Sequence, residues 1–221
     1  MAIALALLAL AAAGAVPAGE GEVLDEVAAV VRPPGGEIRV VTLSKLREEA
    51  RIILVSHGAT EAAFRPLDGL ALRAALQWYV DQILLFDEVT RLRVFEVERA
   101  EVLGDLRRFQ ERFARPEDYR AFLEDNELSE EELMAVLLRM LRVQHYLDSR
   151  VMRTARVPDA DVEAYYRSHR GDFGELALEQ VKEPIRARLS EDRVQAEVKS
   201  LVGELRARGE VRLVGSLAPD K

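Results

Sequence analysis

The side chains best suited to acid–base chemistry lie in one short stretch of the last third of the chain. Tyr165 and Tyr166 are followed by His169, and Asp161 and Glu163 precede them. General acid–base catalysis needs a base that a second group holds in position. The stretch offers no such pair of base and orienting group. The pattern therefore favours a polar, aromatic helix over a catalytic site.

The histidines and cysteines do not form a metal-binding pattern. The chain has 3 histidines and no cysteine, which excludes disulfides, thiolate zinc sites, cysteine nucleophiles and lipid anchors on cysteine. His145 lies three residues before Asp148, a spacing that is more typical of a surface pair on a helix than of a metal site. The sequence contains no glycine-rich phosphate-binding loop. We therefore expect neither a metal nor a cofactor.

The charge balance bears on the class of partner. The 39 acidic residues outnumber the 31 basic ones, which gives a net charge of -8. An acidic chain lacks the electrostatic attraction on which nucleic-acid binding depends, so nucleic acid is not expected as a partner. The acidic clusters Glu48–Glu49 and Glu130–Glu132 are explained by solvation and helix capping. With 49% hydrophobic residues, the chain can form one or two folded domains.

The first 18 residues have the character of an export signal. Residues 2–18 are almost wholly small and apolar, and the stretch closes with Ala13-Gly14-Ala15 and Val16-Pro17-Ala18, two patterns that a signal peptidase accepts. A transmembrane helix needs roughly 20 strongly apolar residues, so we expect cleavage near Ala15 or Ala18 and no stable membrane insertion. Because no lysine or arginine precedes the run, an alanine-rich helix of a cytosolic protein is the alternative.

Strand patterns occur near both ends of the remaining chain. Val27–Val31 and Ile38–Val41 are rich in β-branched residues and flank the turn residues Pro33-Pro34-Gly35-Gly36. Val211–Val214 alternates apolar and polar residues as a strand does. A single strand must pair with another strand to satisfy its backbone groups. We therefore predict that the two ends of the chain meet in one small sheet.

The region between these strands has helical periodicity. Apolar residues step by three and four over Leu72–Phe86, which predicts a central helix with a broad buried face. Ser129 and Glu132 form a capping box at the start of a second long helix. Further helices are predicted over 97–113, from Pro116, from Pro158 and over 176–208. The expected fold is mainly α, a multi-helix bundle with a small β-sheet.

The order of these elements resembles that of a known family. Asp25–Val31 and Gln77–Leu85 are similar to the N-terminal region of SurA-type periplasmic chaperones and of the related PpiC/PrsA foldases. Leu128–Leu133 and Val157–Tyr166 are similar to the helices that follow in that family. The resemblance implies a chaperone domain of the SurA N-terminal type over residues 22–173.

In the family, a parvulin-type prolyl isomerase domain normally follows the segment that ends near Phe173. Only seven residues separate Phe173 from Val181 here, whereas a separately folded domain needs about 50. Val181–Leu189 resembles the closing helix of the family, and Val211–Val214 resembles its final strand. We therefore expect residues 174–217 to pack back on the N-terminal domain, with no isomerase domain between them.

The resemblance implies an ATP-independent periplasmic chaperone that binds unfolded polypeptides, especially outer-membrane β-barrel precursors, by apolar contacts. Two alternatives stay open. One is a peptidyl-prolyl isomerase, the activity common in the family, and the other is an assembly module for one dedicated partner. A homodimer is also left open.

Four aromatic residues are candidates for client binding under this interpretation. Phe109, Phe113, Tyr119 and Phe122 lie across the end of one predicted helix and the start of the next. Exposed, they would form an apolar patch for unfolded chains. The same spacing is also typical of core packing. Met134 and Met140 lie among leucines, so they too are expected in the interior.

Overall fold

The structure is a computed structural model that describes residues 25–93, 95–154 and 156–218. The expected signal peptide, residues 1–18, lies outside the described residues. Within them the chain forms three strands and seven α-helices. The strands are β1 (Val27–Arg32), β2 (Arg39–Thr42) and β3 (Glu210–Leu213). The helices are α1 (Leu43–Ser56), α2 (Gly69–Leu92), α3 (Arg99–Gln110), α4 (Pro116–Asp125), α5 (Glu130–Thr154), α6 (Asp159–Ser168) and α7 (Leu178–Arg208).

The strands form one antiparallel sheet with β1 in the centre, flanked by β2 and β3. Val30 of β1 lies opposite Val40 of β2 and opposite Arg212 of β3. The C-terminal strand therefore pairs with the first N-terminal strand. This confirms the prediction that the two ends of the chain meet in a small sheet, and it confirms the mainly helical fold class.

A first core lies beneath the sheet. The inner side chains of β1, such as Ala29 and Val31, pack against buried residues of α2 and the C-terminal halves of α5 and α7. Helix α2 begins after Asp68, whose carboxylate accepts a hydrogen bond from the Ala71 backbone N–H at 2.7 Å. That cap satisfies one of the free donors at the start of the helix. The 24-residue helix is the central helix that the periodicity predicts.

A second core joins the other helices. Buried side chains of α3 and α4 pack against the C-terminal end of α1 and the N-terminal half of α5. The predicted capping box is confirmed, because Ser129 Oγ accepts from the Glu132 backbone N–H at 3.2 Å and Glu132 Oε2 accepts from the Ser129 backbone N–H at 2.8 Å. Helices α1 and α5 contribute to both cores, so they connect the sheet side of the molecule to α3 and α4.

A third, smaller core lies between α6 and the first half of α7. It contains Val157, Val162, Val181 and Ile185. The 31 residues of α7 continue past Pro184, which interrupts the helical hydrogen-bond pattern without ending the helix. Further along, Leu201 and Leu205 are buried in the first core. Helix α7 thus runs from the third core to the first, and its middle section crosses the face of the molecule between them.

The position of Glu49 corrects the expectation that the Glu48–Glu49 pair is solvated. The pair Glu48–Glu49 was interpreted as a solvated cluster, but the Glu49 side chain is 0% exposed and forms an ion pair with Arg139. Lys45 Nζ lies 3.5 Å from the second carboxylate oxygen. Glu49 is in α1 and Arg139 is in α5, so the pair ties the two helices that connect the first and second cores.

Gly215 holds the C-terminal end against β1, and its replacement is expected to loosen that end. Gly215 has φ +68°, and a Cβ there would lie 2.7 Å from the Val27 carbonyl oxygen. Gly215→Ala should lower the unfolding free energy by about 1–3 kcal/mol, from a strained φ and a clash with backbone. Gly174→Ala is the matched control, because Gly174 also has positive φ but has no atom within 4 Å of that position. Equal losses in urea unfolding of the two variants would contradict the close approach.

Of the described helices, each is either too short or too polar to cross a bilayer.

Candidate functional site

A groove follows one face of α5, and apolar side chains from four helices line it. Its larger part is a cavity of about 320 Å³ between α1, α2, α5 and α7. A smaller cavity of about 130 Å³ continues it toward α3. The two cavities share Met140 and Gln144, so they lie side by side along α5, and together they are called the groove here. The smaller cavity is also lined by Asp105, Arg108 and Arg112. The larger part is lined by Ile53, His57, Trp78, Gln82, Met140, Val143, Gln144, Leu147, Asp148, Val194 and Val198.

The floor of the groove is a stripe on α5. It runs from Leu137 through Met140 and Gln144 to Leu147, in steps of three and four residues that keep the side chains on one helix face, and the adjacent Asp148 ends it. At 1.5 Å per residue, the stripe is roughly 16 Å long. An extended polypeptide rises about 3.3 Å per residue. The groove therefore has room for an extended segment of about five residues.

One wall of the groove is the middle of α7, where Val194 and Val198 face the cavity. Polar contacts hold α7 in place before and after Val194 and Val198 in the sequence. Arg193 donates to the Arg156 carbonyl oxygen at 2.7 Å and also pairs with Asp161. These two contacts hold the N-terminal side of the wall.

On the C-terminal side, Arg206 donates to Asp81 Oδ1 of α2 at 2.7 Å and to the Gln77 carbonyl oxygen at 3.2 Å. Burial raises the pKa of Asp81, and the hydrogen bond from Arg206 opposes that shift. The wall is therefore fastened to α2, which also contributes Trp78 to the groove.

Gln82 gives the groove a polar group that lacks a partner. Its Oε1 atom is buried and accepts no hydrogen bond from the described part of the protein. A buried acceptor without a donor is costly, and an extended backbone brings N–H groups that need an acceptor. The Gln82 oxygen is covered by neighbouring atoms, but the exposed amide of Gln144 can both donate to and accept from a polypeptide backbone in the groove.

The four aromatic candidates pack together in the second core. Phe122 is fully buried, and its ring centroid lies 5.5 Å from those of Phe109 and Phe113. Tyr119 is also buried, and its hydroxyl donates to Glu130 at 3.0 Å. Burial raises the pKa of Tyr119 to about 12. The exposed patch that the client-binding interpretation required is therefore not formed by these rings, because they are needed inside the fold.

The edges of two of these rings still reach the surface. Phe113 and Tyr119 line a shallow cavity of about 550 Å³ between α3, α4 and the start of α5. Half-exposed Phe64 packs edge-on against Phe113, with ring centroids 6.4 Å apart. Arg107, Arg120, Glu111 and Glu130 surround this cavity. It is a second surface depression, and its surroundings are charged.

The side chains with acid–base potential in and just after α6 make contacts that stabilise the fold. Tyr165 stacks on His169 with ring centroids 4.0 Å apart, and the Tyr166 hydroxyl donates to the Leu176 carbonyl oxygen at 2.6 Å. Arg170 lies over the Tyr166 ring, 5.1 Å from its centroid. These contacts fold the α6–α7 connection onto α6. They bring no carboxylate to His169.

His145 corrects a second expectation. The sequence pairs it with Asp148, but His145 Nε2 lies 2.7 Å from Glu101 Oε1 of α3. The contact joins α5 to α3, so it is a tertiary pair and not a local one. Among the described residues there is no cluster of three or more histidine, aspartate or glutamate side chains that could bind a metal.

The residues that line the groove were largely missed from the sequence. Met140 was placed among the leucines of the interior, and it lies half-buried where the two cavities meet. Gln144 interrupts the apolar stripe of α5, and this interruption was the one available signal of an open helix face. Trp78, the single tryptophan, gave no signal of its own, because its position fits the buried face of α2.

No protein-family model matches this chain, and no curated protein matches it in sequence. Functional conclusions therefore depend on the groove, its lining residues and the order of the elements.

Proposed function

We propose that this protein is an exported, ATP-independent chaperone that binds extended apolar segments of unfolded polypeptides, outer-membrane β-barrel precursors in particular, and that it acts in the periplasm. The observation that carries the proposal is the groove along α5, made of two adjacent cavities. It combines apolar side chains of α5, an apolar α7 wall, a length that fits about five extended residues and the exposed amide of Gln144. Those properties match an unfolded segment, which presents side chains and unpaired backbone groups together.

The order of the elements supports the same function. The short 3₁₀ turn Arg170–Phe173 is followed by α7 at Leu178, so four residues connect them where foldases of the SurA type carry their isomerase domain. Helix α7 and β3 then return to the sheet, as the resemblance implies for the closing elements. These features favour a holding function over catalysis of proline isomerisation.

The size of the groove is consistent with weak, reversible binding of a client. Full burial of one aliphatic or aromatic side chain is worth about 1.5–3 kcal/mol, and a micromolar affinity corresponds to roughly -8 kcal/mol. Three such side chains contribute roughly 5–9 kcal/mol in total, and the cost of ordering the client lowers that sum, so the net affinity is expected to be micromolar or weaker. Release then requires no nucleotide, because the complex dissociates at a useful rate by itself.

An aggregation assay combined with an isomerase assay tests the proposal. An outer-membrane β-barrel protein is diluted from urea with and without this protein, and light scattering is followed. We expect equimolar protein to suppress aggregation, and we expect proline isomerisation in a protease-coupled assay at the buffer rate. Isomerase turnover well above buffer, or binding only to one folded protein and not to unfolded chains, would favour the alternatives and overturn the proposal.

A further inference from the structure

The two free edges of the sheet differ in chemistry. At β3 the exposed residues are Glu210 and Arg212, and charged side chains are a usual protection of a sheet edge. On the β2 side, two large aliphatic side chains are exposed: Ile38, which directly precedes β2, is 53% exposed and Val40 is 57% exposed. Val40 lies opposite Val30 on the outer face of the sheet. The β2 edge therefore presents apolar surface beside backbone groups that no neighbouring strand pairs within the described sheet.

The charges around Ile38 are self-complementary. Glu37 precedes it and Arg39 follows it, and all three are exposed. In an antiparallel pair of identical strands centred on Ile38, each Glu37 lies opposite the Arg39 of the second copy. Opposite charges across a strand pair are stabilising, and like charges are destabilising. Arg39 has its own acid, Asp87, at the long distance of 3.7 Å, so its guanidinium keeps donors for a second carboxylate.

We infer that the β2 edge is a self-association surface, at which two copies of this chain pair antiparallel through the segment centred on Ile38 and join their sheets across a two-fold axis. The register is specified by the charges. Centred on Ile38, the pairing forms two Glu37–Arg39 contacts and joins the two Ile38 side chains. Centred one residue later, it would oppose the two Arg39 side chains. Only the first register is favourable electrostatically.

The surface is small, so the dimer is weak and depends on concentration. One four-residue strand pair and its outer aliphatic side chains bury much less than the roughly 1,200 Å² of a standard stable interface. Covalent trapping is therefore the sensitive probe. The chain has no cysteine, which makes each introduced thiol the only one in the protein.

Three single-cysteine variants test the register. Directly opposed residues of antiparallel strands have Cα atoms about 4.5–5.5 Å apart, within the range of a disulfide, about 4.4–6.8 Å. Ile38→Cys should therefore form a disulfide-linked dimer under mild oxidation. The two Val40 positions are offset by four residues, roughly 13 Å, so Val40→Cys should not. Leu70→Cys, at a position 72% exposed in α2, reports random collision.

We expect Ile38→Cys to cross-link at least about tenfold faster than the other two variants, because only its thiols are held within disulfide reach. Sedimentation of the cysteine-free protein over a range of concentrations should show reversible dimers, which Ile38→Lys and Glu37→Arg weaken and Leu70→Lys does not. Equal cross-linking of all three variants would overturn the proposal. So would a loss of client binding in Ile38→Lys without a change in sedimentation, because the edge would then bind client strands.

Discussion

Glu49→Ala is expected to lose about 3–5 kcal/mol of unfolding free energy, the cost of leaving one partner of a buried ion pair without its counter-charge. The Glu49 side chain is 0% exposed, and Arg139, its partner, is 16% exposed. Arg139 also lies over the Tyr79 ring, 5.5 Å from its centroid. Burial raises the pKa of Tyr79, and the nearby Glu49 charge raises it further. Removal of Glu49 therefore leaves a mostly buried guanidinium without its ion-pair partner.

Urea unfolding measures the loss, with a lower midpoint and an unchanged dependence on urea concentration expected. Glu48→Ala is the matched control. Glu48 directly precedes Glu49 in α1, and among the described residues its ion pair is with Lys45, at 2.5 Å, whose side chain is 41% exposed. Partly exposed pairs of this kind contribute about 0–1 kcal/mol. If the two variants unfold at the same urea concentration, the Glu49–Arg139 pair does not hold the two cores together.

A charge in the middle of the groove is expected to weaken client binding at least about tenfold, or about 1.4 kcal/mol. Gln144 is exposed and lies where the two cavities join, so Gln144→Glu and Gln144→Lys should fold normally. Each charge must be stripped of water when an apolar segment covers it. Because both signs carry that cost, both variants should bind an unfolded client more weakly, as measured by fluorescence anisotropy of a labelled, denatured outer-membrane protein.

Gln195 provides the control for these two variants. It is exposed on α7, and it is not among the residues that line the groove. Gln195→Glu and Gln195→Lys should bind clients as tightly as the unmodified chain does. If Gln144→Glu and Gln144→Lys change affinity in opposite directions, the client is recognised by charge and not by apolar contact.

Most of the fold was predictable because its signals are local. The capping residues Ser129 and Glu132 are three positions apart, the turn between β1 and β2 has two prolines and two glycines in sequence, and Pro116 stands at the first position of α4. The pairing of β3 with β1 was predictable for a different reason. A strand without a neighbour must find one, and few strands were available.

The tertiary polar contacts were not predictable, because partner identity depends on packing. Arg139 is 90 residues from Glu49, and the sequence around Glu49 looks like any solvated acidic turn of a helix. His145 has an acidic neighbour in Asp148, yet the side chain that reaches it is Glu101, 44 residues away. Local spacing suggests pairs only within one element.

The groove was missed for a related reason. Its walls come from α1, α2, α5 and α7, so Ile53 and Val198 become neighbours of one cavity only when all four helices are packed. The client-binding candidates Phe109, Phe113, Tyr119 and Phe122 lie close together in the sequence. Their proximity reflects a core that is built from α3 and α4, two consecutive short helices.

Photo-cross-linking from the rim of the groove tests the central claim most directly. A benzophenone side chain placed at Asp148, which is exposed at the groove edge, should cross-link to an unfolded outer-membrane β-barrel protein and not to the same protein after it has folded. The same probe at Gln195 should give little product. Equal yields from positions 148 and 195, or equal yields with the folded and unfolded client, would contradict the account.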